Sequence, residues 1–263
     1  MQASACPEPE DSRSPSGVAV HVAAPSARAA LAATPWLALT PAATLDQLAE
    51  FAVLHRMPPG STLFEQAEMP AFAHLLASGS VALLGVSGSA ETLIELVRPI
   101  DLLLPAAVLN RQPYLARARV LEDAQLVLIQ AEAFRDAVAT DHALCLAVLG
   151  CQTAHFRRQI KLAKNLKLRS AEERVGCYLL NLVQEATPNA TVRLPMEKRL
   201  IAWQLGMTRE TFSRILGAME RYGLRVAGET VVVADAAPFR ERFHLDPQID
   251  GAEPIALHPA RRR

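Results

Sequence analysis

The sequence predicts an α+β chain of two domains joined by a long helix, on three observations. Between Pro35 and Ala131, short apolar runs alternate with turn residues, the spacing of an all-β unit. From Ala133 to Leu166 proline is absent, glycine is limited to Gly150, and apolar residues recur at steps of three and four, the pattern of a long helix. Beyond Ser170, helical segments in close succession precede a strand pair, which reads as a compact helical unit closed by a hairpin. At 263 residues the chain has room for two modest cores that need neither disulfide nor metal.

Taken in order, residues 1–33 mix Pro, Ser and Ala with charges and read as a flexible arm. They lack the compact apolar core behind a basic start that a secretory signal requires. Residues 34–132 form the β domain. His74–Ala77, Val81–Val86, Thr92–Val97 and Leu126–Ile129 read as strands, punctuated by Pro58-Pro59-Gly60, Ser78-Gly79-Ser80 and a hairpin tip at Gly88. Residues 133–168 form the long helix. Its positions Leu146, Leu149, Thr153, Phe156, Ile160 and Ala163 make a coiled-coil seam for a second copy, with a helix packed only on its own domain as the alternative.

Residues 169–240 begin with Ser170-Ala171-Glu172-Glu173, whose S-x-x-E form caps a helix start reciprocally. Val175, Tyr178, Leu179, Leu182 and Val183 give that helix an apolar face, and Thr187-Pro188-Asn189 ends it. Two further helices and a strand pair ending near Ala234 follow. The tail, residues 241–263, reads as loosely held.

The composition, 51% hydrophobic and 21% charged, is that of an ordinary globular chain, and no apolar stretch approaches the ~18 residues of a membrane span. Cys6, Cys145, Cys151 and Cys177 lack any C-x-x-C pairing, which argues against a zinc site, a thioredoxin-like centre or a disulfide scaffold and for the reducing cytoplasm, and no metal is expected apart from haem. Basic and acidic side chains balance at 27 each, yet Arg157, Arg158, Lys161, Lys164, Lys167, Arg169 and Arg174 gather before and into the C-terminal unit. No Gly-rich phosphate loop, G-x-S-x-G, H-E-x-x-H or Walker sequence is present, so the sequence shows no catalytic apparatus and an enzyme is not expected.

Ala202, Gly206 and Phe212 have the offsets of a helix-turn-helix: a small residue where helices touch, a glycine turn and a core anchor. Leu200, Ile201, Leu205, Ile215, Leu216 and Met219 supply the apolar faces it must bury. Thr208 is placed to cap the second helix. Arg209, Glu210, Ser213 and Arg214 then share one face with Thr211 beside them, suited to base edges in a major groove. Leu224 to Val233 carries a Gly228-first two-residue turn between apolar runs, a hairpin that fits a wing.

The run Met207-Thr208-Arg209-Glu210-Thr211-Phe212-Ser213-Arg214-Ile215-Leu216, with Gly223-Leu224 and the Gly228 hairpin, resembles the recognition helix and wing of the Crp/Fnr superfamily. His74 to Leu84 is similar to that family's strand-turn-strand signature. The resemblance covers about Leu45 to Phe239. It implies an N-terminal β-roll (cupin-like jelly roll) sensor, a long dimerisation helix and a C-terminal winged helix-turn-helix. It also implies a homodimer on palindromic double-stranded DNA, most often an activator contacting RNA polymerase. Arg209, Glu210 and Arg214 match the three base-reading positions of the cyclic-AMP receptor type, and Ser213 a serine of the Fnr type, implying TGA-like half-sites.

The sensor departs from the family's cyclic-nucleotide binders. Leu104-Pro105 stands where their Gly-Glu pair should be, and Gln112-Pro113-Tyr114 near their Arg-Ser-Ala run, so cyclic AMP is not expected. An iron-sulfur cluster lacks its cysteines, with Cys6 alone near the N-terminus. Leu104 to Leu109 with Pro113-Tyr114-Leu115 is similar to the nitrogen-oxide-responsive (Dnr/NnrR-like) branch, which implies haem, with His55, His74, His142 and His155 as candidate axial ligands. The alternatives are a small organic effector, and a β-roll ligand-binding module whose helix-turn-helix does not serve DNA.

Overall fold

In the computed structural model, described over residues 26–183, 191–233, 237–253 and 255, two domains are joined by a long helix. The first begins with helix α1 (Ala27–Ala32), a single 3-10 turn at Pro35–Leu37, and α2 (Ala42–Glu50). Strands β1 (Ala52–Met57), β2 (Thr62–Phe64), β3 (Phe72–Ser87), β4 (Ala90–Val97), β5 (Asp101–Leu103) and β6 (Arg117–Gln130) follow, with α3 (Pro105–Asn110) between the last two. Among the described residues they form one sheet of order β1-β6-β3-β4, antiparallel throughout, with β2 added on β6 and β5 on β3.

Two long strands carry the roll. β3 pairs along β6 from Phe72↔Gln130 to Leu84↔Arg117, and the register shifts three times between Leu76 and Val81. Ser78-Gly79-Ser80 is therefore a bulge inside one bent strand, where the sequence suggests a turn between two. Gly79 holds φ +85°, and a Cβ there would lie 2.4 Å from the Asp123 carbonyl oxygen, so only glycine lets the backbones close. The hairpin at Gly88 forms as expected, with Ser87 paired to Ala90.

Three boundaries differ from those the sequence suggests. Residues 26–33 are not arm: Ser26 caps α1, and Leu31 is fully buried with Trp36, Leu48 and Phe134 in the roll's core. The remainder of the expected arm, residues 1–25 with Cys6, lies outside the described residues.

The long helix begins at His142 and not at 133. Ala131–Thr140 is a separate helix, α4, which buries Phe134 and Ala137 against the roll, and the long helix, α5 (His142–Leu168), leaves it at 112°. Asp141 makes the break. Its backbone is extended (φ −108°, ψ 113°), its carboxylate accepts from the Leu144 N–H at 2.8 Å, and the Thr44 hydroxyl donates to its other oxygen at 2.6 Å.

The tail is not loose either. Phe243 is buried among Tyr222 and Phe239, and α10 (Pro247–Asp250) lies along α5. Asp250 accepts two bonds of 2.7 Å from Arg169, and Glu253 pairs with Arg157 and Lys161. These pairs and that of Arg158 with Glu95 and Asp101 account for much of the basic run noted in the sequence. Residues 254 and 256–263 lie outside the description.

The second domain holds α6 (Ala171–Leu182), β7 (Thr191–Arg193), α7 (Lys198–Gln204), α8 (Arg209–Ala218), β8 (Leu224–Ala227), β9 (Thr230–Val233) and α9 (Ala237–Arg242). The Ser170–Glu173 capping box forms in full at the start of α6. The expected terminator Thr187-Pro188-Asn189 and the end of the strand pair at Ala234 lie outside the described residues. No single helix among the described residues is long and apolar enough to cross a membrane.

Candidate functional site

The turn between α7 and α8 is built from the three offset residues. Ala202 is fully buried where the helices meet, and the Met207 N–H donates to its carbonyl at 3.0 Å. Gly206 takes φ +64°, and a Cβ there would lie 2.5 Å from Leu166 Cδ2 of α5, so glycine serves both the turn and the close approach of the long helix. Phe212 and Leu216 anchor α8 in a core shared with Ile201, Leu205, Val231 and Val233.

Thr208 caps α8, its hydroxyl oxygen accepting from the Thr211 N–H at 3.3 Å. Arg209, Glu210, Ser213 and Arg214 are exposed together and Thr211 is half-buried beside them. Among the described residues neither Arg209 nor Arg214 is held in an ion pair, so both guanidinium forks are open to a ligand. The Glu210 carboxyl sits below the ordinary carboxylate range because its own N–H and the Thr208 hydroxyl stabilise the anion. Beside α8, β8 and β9 make the hairpin across Gly228 (φ +60°), and β7 extends it to three strands.

On α5, the six seam positions fall on one exposed face. Leu149 is 58% exposed, Phe156 67% and Ile160 47%, with Leu146, Thr153 and Ala163 also exposed. From Leu146 to Ala163 the stripe runs about 25 Å at 1.5 Å per residue. The opposite face carries the buried Leu144, Val148 and Cys151.

The histidines separate sharply. His55, on β1, and His142, in the first turn of α5, are exposed. His155 Nε2 is engaged 2.7 Å from Asp101 Oδ1, and no motif or spacing singles out Asp101 beforehand. His74 is 5% exposed inside the roll, with the rings of Phe64, Phe72 and Tyr114 at centroid distances of 5.2, 6.5 and 6.4 Å. Phe64 and Tyr114 stack at 3.7 Å, and the Tyr114 hydroxyl donates to the Phe72 carbonyl at 3.2 Å. This aromatic cluster occupies the space a planar cofactor on His74 would need. A cavity of about 570 Å³ between the roll and α5 is lined by Trp36, Ile100, Arg98 and Arg158, with no histidine among the described residues of its wall. Neither the surroundings of His74 nor the described wall of this cavity fits a haem in this arrangement. Leu104, in the left-handed region, and Pro105 open α3.

Burial gives His74 a second consequence. Desolvation lowers its pKa to about 4, outweighing a hydrogen bond to the Phe72 backbone that acts the other way. The unfolded chain therefore binds a proton between pH 6.5 and 4 that the folded chain refuses, so stability is full above pH 6.5 and falls as pH drops through that window. A shift of this size removes about 2 kcal/mol between pH 7 and pH 5. Urea unfolding at the two pH values should show that loss, and His74→Phe should abolish most of it. An unchanged pH dependence in the variant would rule this origin out.

Two protein-family models match the chain: a cyclic nucleotide-binding domain over residues 54–141 and a Crp-like helix-turn-helix domain over residues 173–242. The chain is 26% identical to the anaerobic regulatory protein of Aggregatibacter actinomycetemcomitans over 206 residues, 75% of this chain and 79% of that protein. It is 31% identical over 115 residues to the nitrogen fixation regulation protein FixK of Azorhizobium caulinodans, 42% of this chain and 46% of that one. Among solved structures it resembles FixK2 from Bradyrhizobium japonicum, with a TM-score of 0.60 and 18% identity over 74% of this chain and 98% of the other.

Proposed function

The chain belongs to the Crp/Fnr family of DNA-binding transcription regulators, and we propose that it binds a palindrome with TGA-like half-sites as a homodimer and activates transcription through RNA polymerase in the cytoplasm, in response to a signal at the β-roll. The observation that carries this reading is the exposed Arg209, Glu210, Ser213 and Arg214 face on a helix capped by Thr208 and seated on a helix-turn-helix core. Arginine forks can take guanine O6 and N7 together, and a glutamate accepts from cytosine N4. Two such helices in a dimer fit half-sites one helical turn, ~34 Å, apart.

Cyclic AMP is no part of this proposal. The Tyr114 and Phe64 stack is buried in the roll's core, and Pro105 removes a backbone donor that a phosphate could use. The cavity walled by Trp36, Ile100, Arg98 and Arg158 favours a small organic effector over a haem-bound gas.

Fluorescence anisotropy tests the reading on three duplexes: a palindrome with TGA-like half-sites, the same half-sites moved by half a helical turn, and a scrambled sequence. The expected result is tight binding to the first alone, weakening steeply with salt as phosphate contacts release counterions. Equal affinity for all three would leave the roll as a binding module with no operator.

A further inference from the structure

Asp101 opens β5 on the roll, while Cys151 and His155 stand four residues apart on the inner face of α5. The i, i+4 spacing aims both side chains the same way, as it does for paired ligands on metal-binding helices. Asp101 Oδ1 is 2.7 Å from His155 Nε2 and 3.4 Å from Cys151 Sγ, and those two atoms are 3.4 Å from each other. Asp101 is 5% exposed and Cys151 fully buried.

The triangle is not a nucleophile-base-acid relay. In such a relay the thiol takes one ring nitrogen and the carboxylate the other. Here both crowd the same nitrogen, which has one proton or one lone pair and can serve only one of them. A cation at the centre satisfies all three atoms. Tetrahedral bonds of about 2.0–2.2 Å to oxygen and nitrogen and about 2.3 Å to sulfur separate the donor atoms by roughly 3.3–3.6 Å, so only the oxygen–nitrogen edge has to open.

We propose that Asp101, Cys151 and His155 form a site for a divalent d-block cation of the zinc type, tying the β-roll to the long helix. The mixed sulfur, nitrogen and oxygen set selects such an ion over magnesium or calcium. Charge agrees with the assignment. The Arg158 Nη2 donates to Asp101 Oδ2 at 2.6 Å and its Nε to Glu95 at 2.7 Å, so two carboxylates, one guanidinium and a Cys151 thiolate leave two negative charges for the cation to cancel. On binding, the Cys151 S–H bond is exchanged for a sulfur–metal bond and its proton passes to solvent, while His155 coordinates through Nε2 with its proton on Nδ1. Burial and the Asp101 carboxylate push the metal-free thiol up, which keeps it protonated until the metal arrives. Three protein ligands leave a fourth position, and Asp101 also lines the cavity beside Trp36 and Ile100. The site stands apart from whether α8 reads DNA, and its test needs no DNA.

The experiment is a titration of the reduced full-length chain with Co²⁺, whose absorption reports coordination geometry and sulfur ligation. One equivalent per chain should bind with tetrahedral d–d bands and a thiolate-to-cobalt charge-transfer band, and Zn²⁺ should displace it. Cys145→Ala, at an exposed position outside the cluster, should leave the spectrum unchanged. Cys151→Ala should lose the charge-transfer band, and His155→Gln should weaken Co²⁺ binding at least about tenfold. Far-UV circular dichroism checks that each variant folds. If Cys151→Ala does not, the half-buried His155→Gln decides. No charge-transfer band in the unaltered chain, a band that survives Cys151→Ala, or unchanged affinity in His155→Gln overturns the proposal.

Discussion

Phe156→Glu is expected to convert the dimer to a monomer and to lower affinity for the palindromic operator by at least about 100-fold. Phe156 is 67% exposed at the middle of the stripe from Leu146 to Ala163, so a charge there meets only water in the single chain. In a parallel pairing of two α5 helices the same position faces its own copy, and two carboxylates would be desolvated side by side at the seam. Losing the pairing removes one of two half-site contacts and the effective concentration that links them. Analytical ultracentrifugation and anisotropy on the intact palindrome read the two effects, with circular dichroism showing that the chain still folds. A Phe156→Glu protein that stays dimeric would move the interface off this face.

What the sequence made legible was local. The Ser170–Glu173 capping box, the Gly88 hairpin and the Ala202, Gly206, Phe212 offsets each rest on rules that act within a few residues, and each forms. The break at Asp141 was hidden because apolar steps continue through it. The available signal was an N-cap residue directly before His142, with a partner, Thr44, that lies 97 residues away. The bulge at Gly79 was read as a turn because serine and glycine serve both, and only pairing with Asp123 and Ala124 on β6 decides between them.

Longer-range features left even less trace. The tail reads as loosely held, yet Asp250 and Glu253 find Arg169, Arg157 and Lys161 on or capping a helix more than 80 residues earlier. Asp101 meets Cys151 and His155 only because β5 adds to β3 and α5 crosses behind it. The first helix of the helix-turn-helix also leans on the roll, Leu200 packing with Ala82, Leu84 and Leu93. No periodicity announces such a contact between domains, because each side is simply an apolar position of its own element.

That contact bears on how α8 is presented, but Arg214 itself lies away from it, exposed and unpaired among the described residues. Arg214→Ala should therefore leave chain stability within about 0.5 kcal/mol, as surface changes do. Its effect should fall on recognition. A bidentate arginine–guanine contact discriminates by about 1–3 kcal/mol, so operator affinity should drop by roughly 5- to 150-fold and the preference at one base pair of each half-site should flatten. A phosphate contact would instead weaken every sequence alike and lessen the salt slope by about one. Competition anisotropy with duplexes varied one symmetric base pair at a time separates the two. Loss confined to a single position assigns Arg214 to base reading, and uniform loss assigns it to the backbone, leaving Arg209 and Glu210 to carry the sequence preference.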